Sequence, residues 1–347
     1  MPTLRDVAGR AGVSPMTVSR VVNGSGPVSD KLRVRVQEAL ADTGYIPNTV
    51  ARNLRTRRTD TIALVLPDMT NPFFTTLAHG VETAARGAGI SLLLANSDER
   101  EEEERRLVPM LLQRQVDGLL IVSAGSGAET VRLCRDRGVP LVVVDRRPLT
   151  PDVDVVRADS EGGALELGRL LVGLGHRRLA VLTGPASVPT ALDRATGFSR
   201  AIVEEAGLPA PLVLHGAFSI DSGQAMTRAA MRRVPPPTAL FAANTFIAIG
   251  VLHALEELGL RVPDDVAVVG FDDLPQAMVT FPFLTVASQP AFEMGRRSVA
   301  VLLDRMARPD GPTQDVVLPT ELVIRRSSGG SVIQAEVRPR GHGVGSP

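Results

Sequence analysis

The stretch TLRDVAGRAGVSPMTVSRVVN, residues 3–23, predicts two short helices joined by a tight turn. Its first half shows the apolar spacing of one buried helix face, at Leu4, Val7, Ala8 and Ala11. Thr3 is a suitable N-cap with Asp6 three residues on, and Gly12 can end this helix in a left-handed conformation. Ser14 can cap a second helix that begins at a proline. Two helices across a short glycine-containing turn form the arrangement that lays the second helix in the major groove of DNA.

The second of these helices has a polar face that is the candidate DNA-reading surface. If its valines point to the core, the side chains left for solvent or DNA are Pro15, Met16, Thr17, Ser19, Arg20 and Asn23. A helical hairpin of some other α domain is the alternative. The charge distribution favours a DNA-binding head over this alternative. Residues 1–60 carry ten basic and five acidic side chains, whereas the whole chain has 38 of each. A basic head on an acidic body is expected of a phosphate-binding module.

A third helix is predicted from Ser29 and Asp30 to Gly44, followed by a short amphipathic segment that begins at Asn48. Isolated helices below about 12–15 residues are marginal, so we expect this segment to fold only against a partner surface. Its Leu54 suits an apolar wedge in a minor groove. The alternative is an arginine-rich linker with no special role.

These motifs resemble the DNA-binding head and hinge of the LacI/GalR family of transcriptional regulators. The resemblance is carried by Asp-Val-Ala at 6–8, by Val-Ser-x-x-Thr-Val-Ser-Arg-Val-Val-Asn at 13–23, and by Tyr-x-Pro-Asn-x-x-Ala-Arg-x-Leu at 45–54. It implies that the base-reading positions are Pro15, Met16 and Arg20, with Thr17, Ser19 and Asn23 mostly positioning phosphates. It further implies hinge contacts to DNA from Asn48, Ala51, Leu54 and Arg55, and a homodimer on a palindromic operator.

From residue 61 onward, apolar strands alternate with amphipathic helices, which predicts parallel sheets covered on both faces. The predicted strands are 61–66, 90–95, 117–122, 139–144, 178–183, 211–215, 238–243 and 265–271. The predicted helices are 74–87, 99–115, 128–137, 161–174, 190–206, 221–232 and 245–258. One eight-stranded sheet is possible on this pattern. The resemblance instead implies an α/β body like a periplasmic binding protein, with two doubly wound parallel-sheet lobes.

The predicted organisation has five parts. They are a helix-turn-helix head at 1–47, a hinge and linker at 48–60, an N-lobe at 61–159 plus 289–318, a C-lobe at 160–288 plus 319–327, and a disordered tail at 328–347. The tail prediction rests on its Gly, Ser, Pro and Arg content without hydrophobic periodicity.

Ligands of open parallel sheets bind beyond the carboxyl ends of the strands. The side chains predicted at those ends are Asn71, Phe73, Phe74, Asp145, Arg146, Arg194, Phe218, Asn244 and Asp272. Aromatic rings stack on the C–H faces of a sugar ring, while Asp, Asn and Arg bind its hydroxyls. Taken singly, Phe73 or Phe74 is more often a core residue than a ligand contact, and Asp272 is more often a helix cap.

The same set resembles the sugar contacts of ribose-binding relatives of this fold, so a pentose such as ribose is the leading effector. Two departures are Thr245, where many relatives have Asp, and Ser288, where the ribose binders place Gln. A nucleoside or another non-sugar metabolite is the alternative effector. Val188 disfavours a purine, because relatives that bind purines have an arginine there.

Enzymatic function is not predicted. The first strand of the body leads to Pro67 rather than to a glycine-rich dinucleotide loop, and a P-loop is absent. The five histidines lack metal spacing, and the single cysteine, Cys134, excludes internal disulfides. We therefore expect no cofactor and no metal. The sequence has neither a signal peptide nor a membrane-length apolar run, which favours a cytoplasmic regulator over a transport-type solute-binding protein.

Overall fold

The computed structural model describes residues 2–23, 26–45, 58–148, 150, 152–275 and 282–329. The chain divides into two compact units, residues 1–59 and 60–347. In the first, the helices are α1 (Leu4–Ala11), α2 (Pro15–Asn23) and α3 (Asp30–Thr43). Their shared core contains Val7, Ala8, Ala11, Val18, Val36 and Ala39.

The sequence signals at the ends of these helices form as predicted. The Thr3 hydroxyl accepts a hydrogen bond from the Asp6 amide, and the Asp6 carboxylate accepts one from the Thr3 amide, which completes a capping box. This hydrogen bonding holds the pKa of Asp6 below its ordinary value. Gly12 follows α1 in the left-handed conformation with φ of 61°. Ser14 accepts from the Thr17 amide at 3.2 Å and so caps α2.

The second unit contains two six-stranded sheets rather than one sheet of eight. The first lobe has β1 (Thr61–Leu66), α4 (Pro72–Gly87), β2 (Ser91–Asn96), α5 (Glu101–Gln113), β3 (Gly118–Ile121), α6 (Ala128–Arg137), β4 (Leu141–Val144) and β5 (Asp154–Ala158). Its sheet order is β11-β5-β4-β3-β1-β2, with β11 at Asp315–Leu318, and every pair is parallel.

The second lobe begins with α7 (Ser160–Gly173), β6 (Leu179–Thr183), α8 (Pro189–Arg200), a π-helical turn (Ala201–Glu205), β7 (Leu212–His215) and α9 (Ile220–Met231). It continues with β8 (Ala239–Ala242), α10 (Thr245–Glu257), β9 (Ala267–Phe271), β10 (Thr285–Ser288), β12 (Glu321–Val323) and a 3-10 turn (Arg326–Ser328). The order is β12-β10-β9-β8-β6-β7, and only the β10–β12 pair is antiparallel. Helix α11 (Ala291–Ala307) packs against α4 and so covers the first sheet.

All predicted strands and helices of the body are present, and their observed ends lie within two residues of the predicted ends. The one exception is the helix predicted at 190–206, which divides into α8 and the π-helical turn. The prediction missed four strands and one helix: β5, β10, β11, β12 and α11. The missed strands are three to five residues long, and charged or hydroxyl residues interrupt their apolar pattern. Short strands of this kind exist because the neighbouring strand pairs with them, which local sequence does not reveal.

Each sheet is buried on both faces, as the continuous apolar strands predict. Along β1, Ile62, Leu64 and Leu66 belong to one core cluster, while Ala63 and Val65 belong to the cluster on the opposite face. Each lobe therefore has its own pair of cores. The boundaries of the five predicted parts stay predictions, with one exception at the C-terminus. Ser328, assigned to the tail, is buried and hydrogen-bonds the Thr285 hydroxyl at 2.9 Å.

Candidate functional site

The proposed DNA-reading face lies on α2. Pro15, Met16 and Arg20 are exposed, with 65% of Met16 accessible, while Thr17 and Ser19 are half-buried. Asn23 ends the helix. The four hinge residues Asn48, Ala51, Leu54 and Arg55 lie outside the described residues. Contact of any of these ten residues with DNA stays a prediction.

The nine residues predicted at strand ends all line one cavity between the two lobes. Its lining is Asn71, Phe73, Phe74, Asp145, Arg146, Thr190, Arg194, Phe218, Asn244 and Asp272. The side chains leave about 20 Å³ free, roughly the space of one water. The first five residues come from the first lobe and the other five from the second. Their convergence is a property of the fold, because the carboxyl ends of both sheets face the same gap.

The first lobe contributes an amide and two aromatic rings from the start of α4. Asn71 is the N-cap, and its side-chain oxygen accepts from the Phe73 amide at 3.0 Å. Phe73 and Phe74 are buried edge to face, with ring centroids 5.1 Å apart. The cap thus fixes the helix start that presents both rings to the cleft.

The turn after β4 contributes a carboxylate and a guanidinium. Asp145 has φ of 64°, a left-handed value that is uncommon for a residue with a Cβ atom. Asp145 and Arg146 are both about 95% buried, at 5% and 4% exposure. The Arg146 guanidinium lies 5.8 Å from the ring centroid of Phe74 and 5.5 Å from that of Phe218. Arg146 therefore contacts aromatic rings of both lobes.

The second lobe holds Arg194 rigidly on α8. Its guanidinium lies 4.0 Å from the Phe271 ring centroid, and its Nη1 donates to the Ala243 carbonyl at 2.7 Å. The same Nη1 is 4.0 Å from the Asp272 carboxylate. Asn244 caps α10 by accepting from the Ile247 amide at 2.8 Å. Asp272 is not a helix cap: it lies in the turn after β9 with φ of 72°.

Burial makes the two acids of the cleft harder to ionise. It raises the pKa of Asp145 from 3.8 to about 6, and nearby Asp272 and Glu99 add to this effect against the lowering influence of Arg194 and Arg146. Burial also raises the pKa of Asp272, although Arg194 and a hydrogen bond from Gln289 oppose the change. Both carboxyl groups would gain from hydrogen-bond donors brought by a ligand.

Three buried polar atoms near the cleft have no hydrogen-bond partner among the described residues. They are Oδ1 of Asp145, Nε of Arg146 and Oε1 of Gln289. Two are acceptors and one is a donor. A buried polar atom without a partner is costly, so a ligand that supplies hydroxyl groups at these atoms would be stabilised.

Sequence reasoning missed Thr190, Gln289 and Glu104. A glutamine does follow directly after Ser288: Gln289 is buried and its Nε2 donates to Asp272 Oδ1. Had β10 been predicted, its end at Ser288 would have placed Gln289 at the carboxyl edge of the second sheet, beside the other cleft residues. Glu104 lies in the acidic first turn of α5, yet it is 3% exposed and accepts hydrogen bonds from Ser123 and Thr130. The acidic run around it concealed this role.

Two other kinds of feature are absent from the described residues. Within the described ranges, His, Cys, Asp and Glu side chains form no group of three or more that could hold a metal ion. In the same part of the chain, no helix is both long and apolar enough to cross a membrane.

Comparisons with known proteins agree with this architecture. Residues 3–48 match the family described as bacterial regulatory proteins, lacI family, and residues 169–328 match the periplasmic binding protein-like domain. The ribose operon repressor of Halalkalibacterium halodurans is 34% identical, over 95% of this chain and 98% of its own. That relative is named as a repressor.

Two solved structures extend the comparison. A complex titled as the transcriptional regulator CelR with cellobiose is 36% identical with a TM-score of 0.72, covering 94% of this chain and 100% of that one. The lac repressor dimer bound to operator and the anti-inducer ONPF is 30% identical with a TM-score of 0.84, covering 94% and 99%. The chain therefore belongs to the lacI family of bacterial regulatory proteins, with a helix-turn-helix DNA-binding head and a periplasmic-binding-protein-like body.

Proposed function

We propose that the protein is a homodimeric transcriptional repressor whose affinity for a palindromic operator is switched by a monosaccharide bound between the lobes. The proposal rests on one observation above all. Carboxylate, amide, guanidinium and aromatic side chains from both lobes line a single cavity, the mixture that grips hydroxyls and stacks on a sugar ring. We propose further that the protein acts in the cytoplasm, where it would meet its operator DNA, and that it catalyses no reaction.

A pentose of the ribose type is the effector that this proposal favours. The first support is the name of the ribose operon repressor among the relatives, and the second is Gln289, which supplies the glutamine expected of ribose binders. Cellobiose, bound by one similar regulator, is a disaccharide and needs more room.

The small free volume indicates how the switch operates. Because the cavity has space for roughly one water, a monosaccharide would enter by parting the lobes, which would then close around it. This movement reaches the head through the hinge at 48–60. In the dimer, two heads read the half-sites with Pro15, Met16 and Arg20, while Leu54 wedges into the central minor groove.

The test uses the purified full-length chain. Thermal-shift and calorimetric titrations with D-ribose, other pentoses, hexoses, cellobiose and adenosine identify the effector class. A palindromic duplex selected from a randomised library then measures DNA affinity by fluorescence anisotropy with and without that effector. We expect one monosaccharide to raise Tm and to change DNA affinity. Binding of adenosine but of no sugar, or selection of no palindromic site, would contradict the proposal.

A further inference from the structure

Glu99 lies outside the set of cleft residues, in the loop between β2 and α5. Asp98 and Glu99 both have left-handed φ values, 52° and 54°. Two consecutive residues with Cβ atoms adopt this conformation only when other contacts impose it. Here the Glu99 amide donates to the Pro67 carbonyl at 2.7 Å, and the Arg100 amide donates to the Ser97 carbonyl at 2.9 Å. The loop is thus held so that the Glu99 carboxylate reaches Arg146.

The contact between these two side chains is bidentate. Nη2 of Arg146 donates to Glu99 Oε1 at 2.6 Å, and Nη1 donates to Oε2 at 2.7 Å. Nη1 also donates to the Ser123 carbonyl at 3.1 Å. Arg146 is 4% exposed and the Glu99 side chain 32%. Paired forks of this kind fix the orientation of a guanidinium as well as offsetting its charge. Of the three nitrogens of Arg146, only Nε is left without a partner among the described residues.

The charges in and behind the cleft disfavour an anionic ligand. Each guanidinium already has a carboxylate close by, Glu99 for Arg146 and Asp272 for Arg194. Asp145 adds a further acid. A phosphate or carboxylate on a sugar would therefore meet no uncompensated cation, and burying an unpaired charge is strongly unfavourable.

The unpartnered atoms favour a polyol for a second reason. Asp145 Oδ1 and Gln289 Oε1 need donors, whereas Arg146 Nε needs an acceptor. A hydroxyl group supplies one donor and two acceptor lone pairs, while a fully ionised phosphate supplies acceptors alone. Neutral sugar hydroxyls can therefore satisfy all three atoms.

We propose that Glu99 is a positioning residue of the cleft: it holds Arg146 so that Nε faces the ligand, and it makes the site select uncharged monosaccharides over phosphorylated sugars. This inference rests on the proposed function and narrows its ligand class. Glu99 acts through Arg146 and does not itself touch the sugar.

The first test needs no ligand. The pKa of the Asp145 carboxyl is measured by ¹³C NMR on the full chain with labelled aspartate, assigned through Asp145→Asn. In Glu99→Gln the pKa of Asp145 should fall, because a nearby negative charge is lost and Arg146 is freed. Glu103→Gln is the matched control, since Glu103 pairs with Arg100 and Arg106 instead. An unchanged Asp145 pKa in Glu99→Gln would overturn the positioning role.

The second test compares D-ribose with D-ribose 5-phosphate by calorimetry. In the unmodified protein the phosphate should bind at least about 100-fold more weakly than the sugar. Glu99→Gln should weaken D-ribose binding about tenfold or more, because a misplaced Arg146 loses its hydrogen bond to the sugar. The same variant should discriminate less between the sugar and its phosphate, because the negative charge of Glu99 is gone. Glu103→Gln should change neither.

Two results would overturn the inference: comparable affinity of the unmodified protein for both ligands, or unchanged D-ribose affinity in Glu99→Gln. If no sugar in the effector panel binds the unmodified protein, the proposed function fails, and the Asp145 titration still decides whether Glu99 acts on the cleft.

Discussion

At the scale of single residues, the cleft combines groups that are rigid with groups that lack partners. Arg194 is held from three sides, by the Phe271 ring, the Ala243 carbonyl and the Asp272 carboxylate. Asp145 and Arg146 each keep one buried atom that no described residue partners. Preorganised donors beside unsatisfied acceptors are the features that let a small polar ligand bind with specificity.

Arg194→Ala should abolish the response of DNA affinity to sugar. The change leaves buried acceptors unpaired and should cost roughly 2–5 kcal/mol of sugar binding. Calorimetry with the effector and anisotropy with operator DNA measure the two effects. DNA binding without sugar should persist, because the head is a separate compact unit. Arg200→Ala, at the half-exposed end of the same helix, is the control. A variant that still responds to sugar would refute the assignment of Arg194.

Sugar affinity should rise as the pH increases toward about 6 and level off above it. In the sugar-free protein Asp145 has a pKa of about 6, and a hydroxyl donor binds its ionised form better. Sugar binding therefore releases protons below this pH. The sugar affinity should change by up to about tenfold per pH unit in that range. Calorimetry in buffers from pH 5 to 8 measures it. Asp145→Asn should weaken the dependence, leaving the contribution of Asp272, whose pKa burial also raises, and a flat profile in the unmodified protein would contradict the prediction.

The same pKa has the opposite consequence for folding. The folded protein holds the Asp145 proton to a higher pH than the unfolded chain, whose carboxyl has a pKa near 3.8. The contribution of this group to the free energy of unfolding therefore declines between about pH 4 and pH 6. Ligand binding and stability should thus respond to pH with opposite signs, which separates the two effects experimentally.

At the scale of elements, glycines set the distances between packed helices. A Cβ on Gly80 of α4 would lie 2.1 Å from the Phe292 carbonyl oxygen of α11, and one on Gly295 of α11 would lie 2.2 Å from the Leu77 carbonyl oxygen of α4. The pair α7 and α8 is similar, since a Cβ on Gly197 would lie 2.0 Å from the Glu161 carbonyl oxygen. The atoms that an added Cβ would meet are backbone carbonyl oxygens, so little relaxation is available.

Gly197→Ala should lower both stability and sugar affinity. The added methyl forces α8 away from α7, an overpacking that typically costs about 1–3 kcal/mol, and α8 carries Thr190 and Arg194. Urea unfolding and sugar calorimetry measure the two losses. Gly173→Ala, at the end of α7 with open space around it, is the control and should be neutral or slightly stabilising. Equal behaviour of both variants would refute the packing argument.

At the scale of the whole body, two lobes with separate cores are joined by three chain passages. The described chain crosses between sheets after β5, after β10 and after β11. An ion pair also spans the lobes, with Arg147 Nη2 at 2.6 Å from Asp193 Oδ1. Separate cores let each lobe move as a rigid body. Closure on a ligand should therefore change the conformation mainly of the three chain passages and of the side-chain contacts between the lobes.

Operator DNA should change sugar affinity by the same factor by which sugar changes operator affinity. This equality follows from thermodynamic linkage whenever one conformational equilibrium joins the two sites. Calorimetric titration of the effector into the free protein and into its operator complex gives the first factor, and anisotropy gives the second. Sugar affinity that is identical with and without operator would remove the switch from the proposed mechanism.

Local sequence determined the head helices and most elements of the body, because caps, apolar periodicity and glycine ends act over a few residues: Thr3 and Gly12 hold the roles their chemistry predicts. It also predicted the nine strand-end residues that line the cleft, since parallel strands bring their carboxyl ends together. Only the tertiary structure decided which short strands pair, where Gln289 lies, that Glu99 pairs with Arg146, and that Glu104 is buried against Ser123 and Thr130. Those facts depend on partners distant in sequence, such as Arg146 for Glu99 and Asp272 for Gln289, and local pattern carries no information about such pairs.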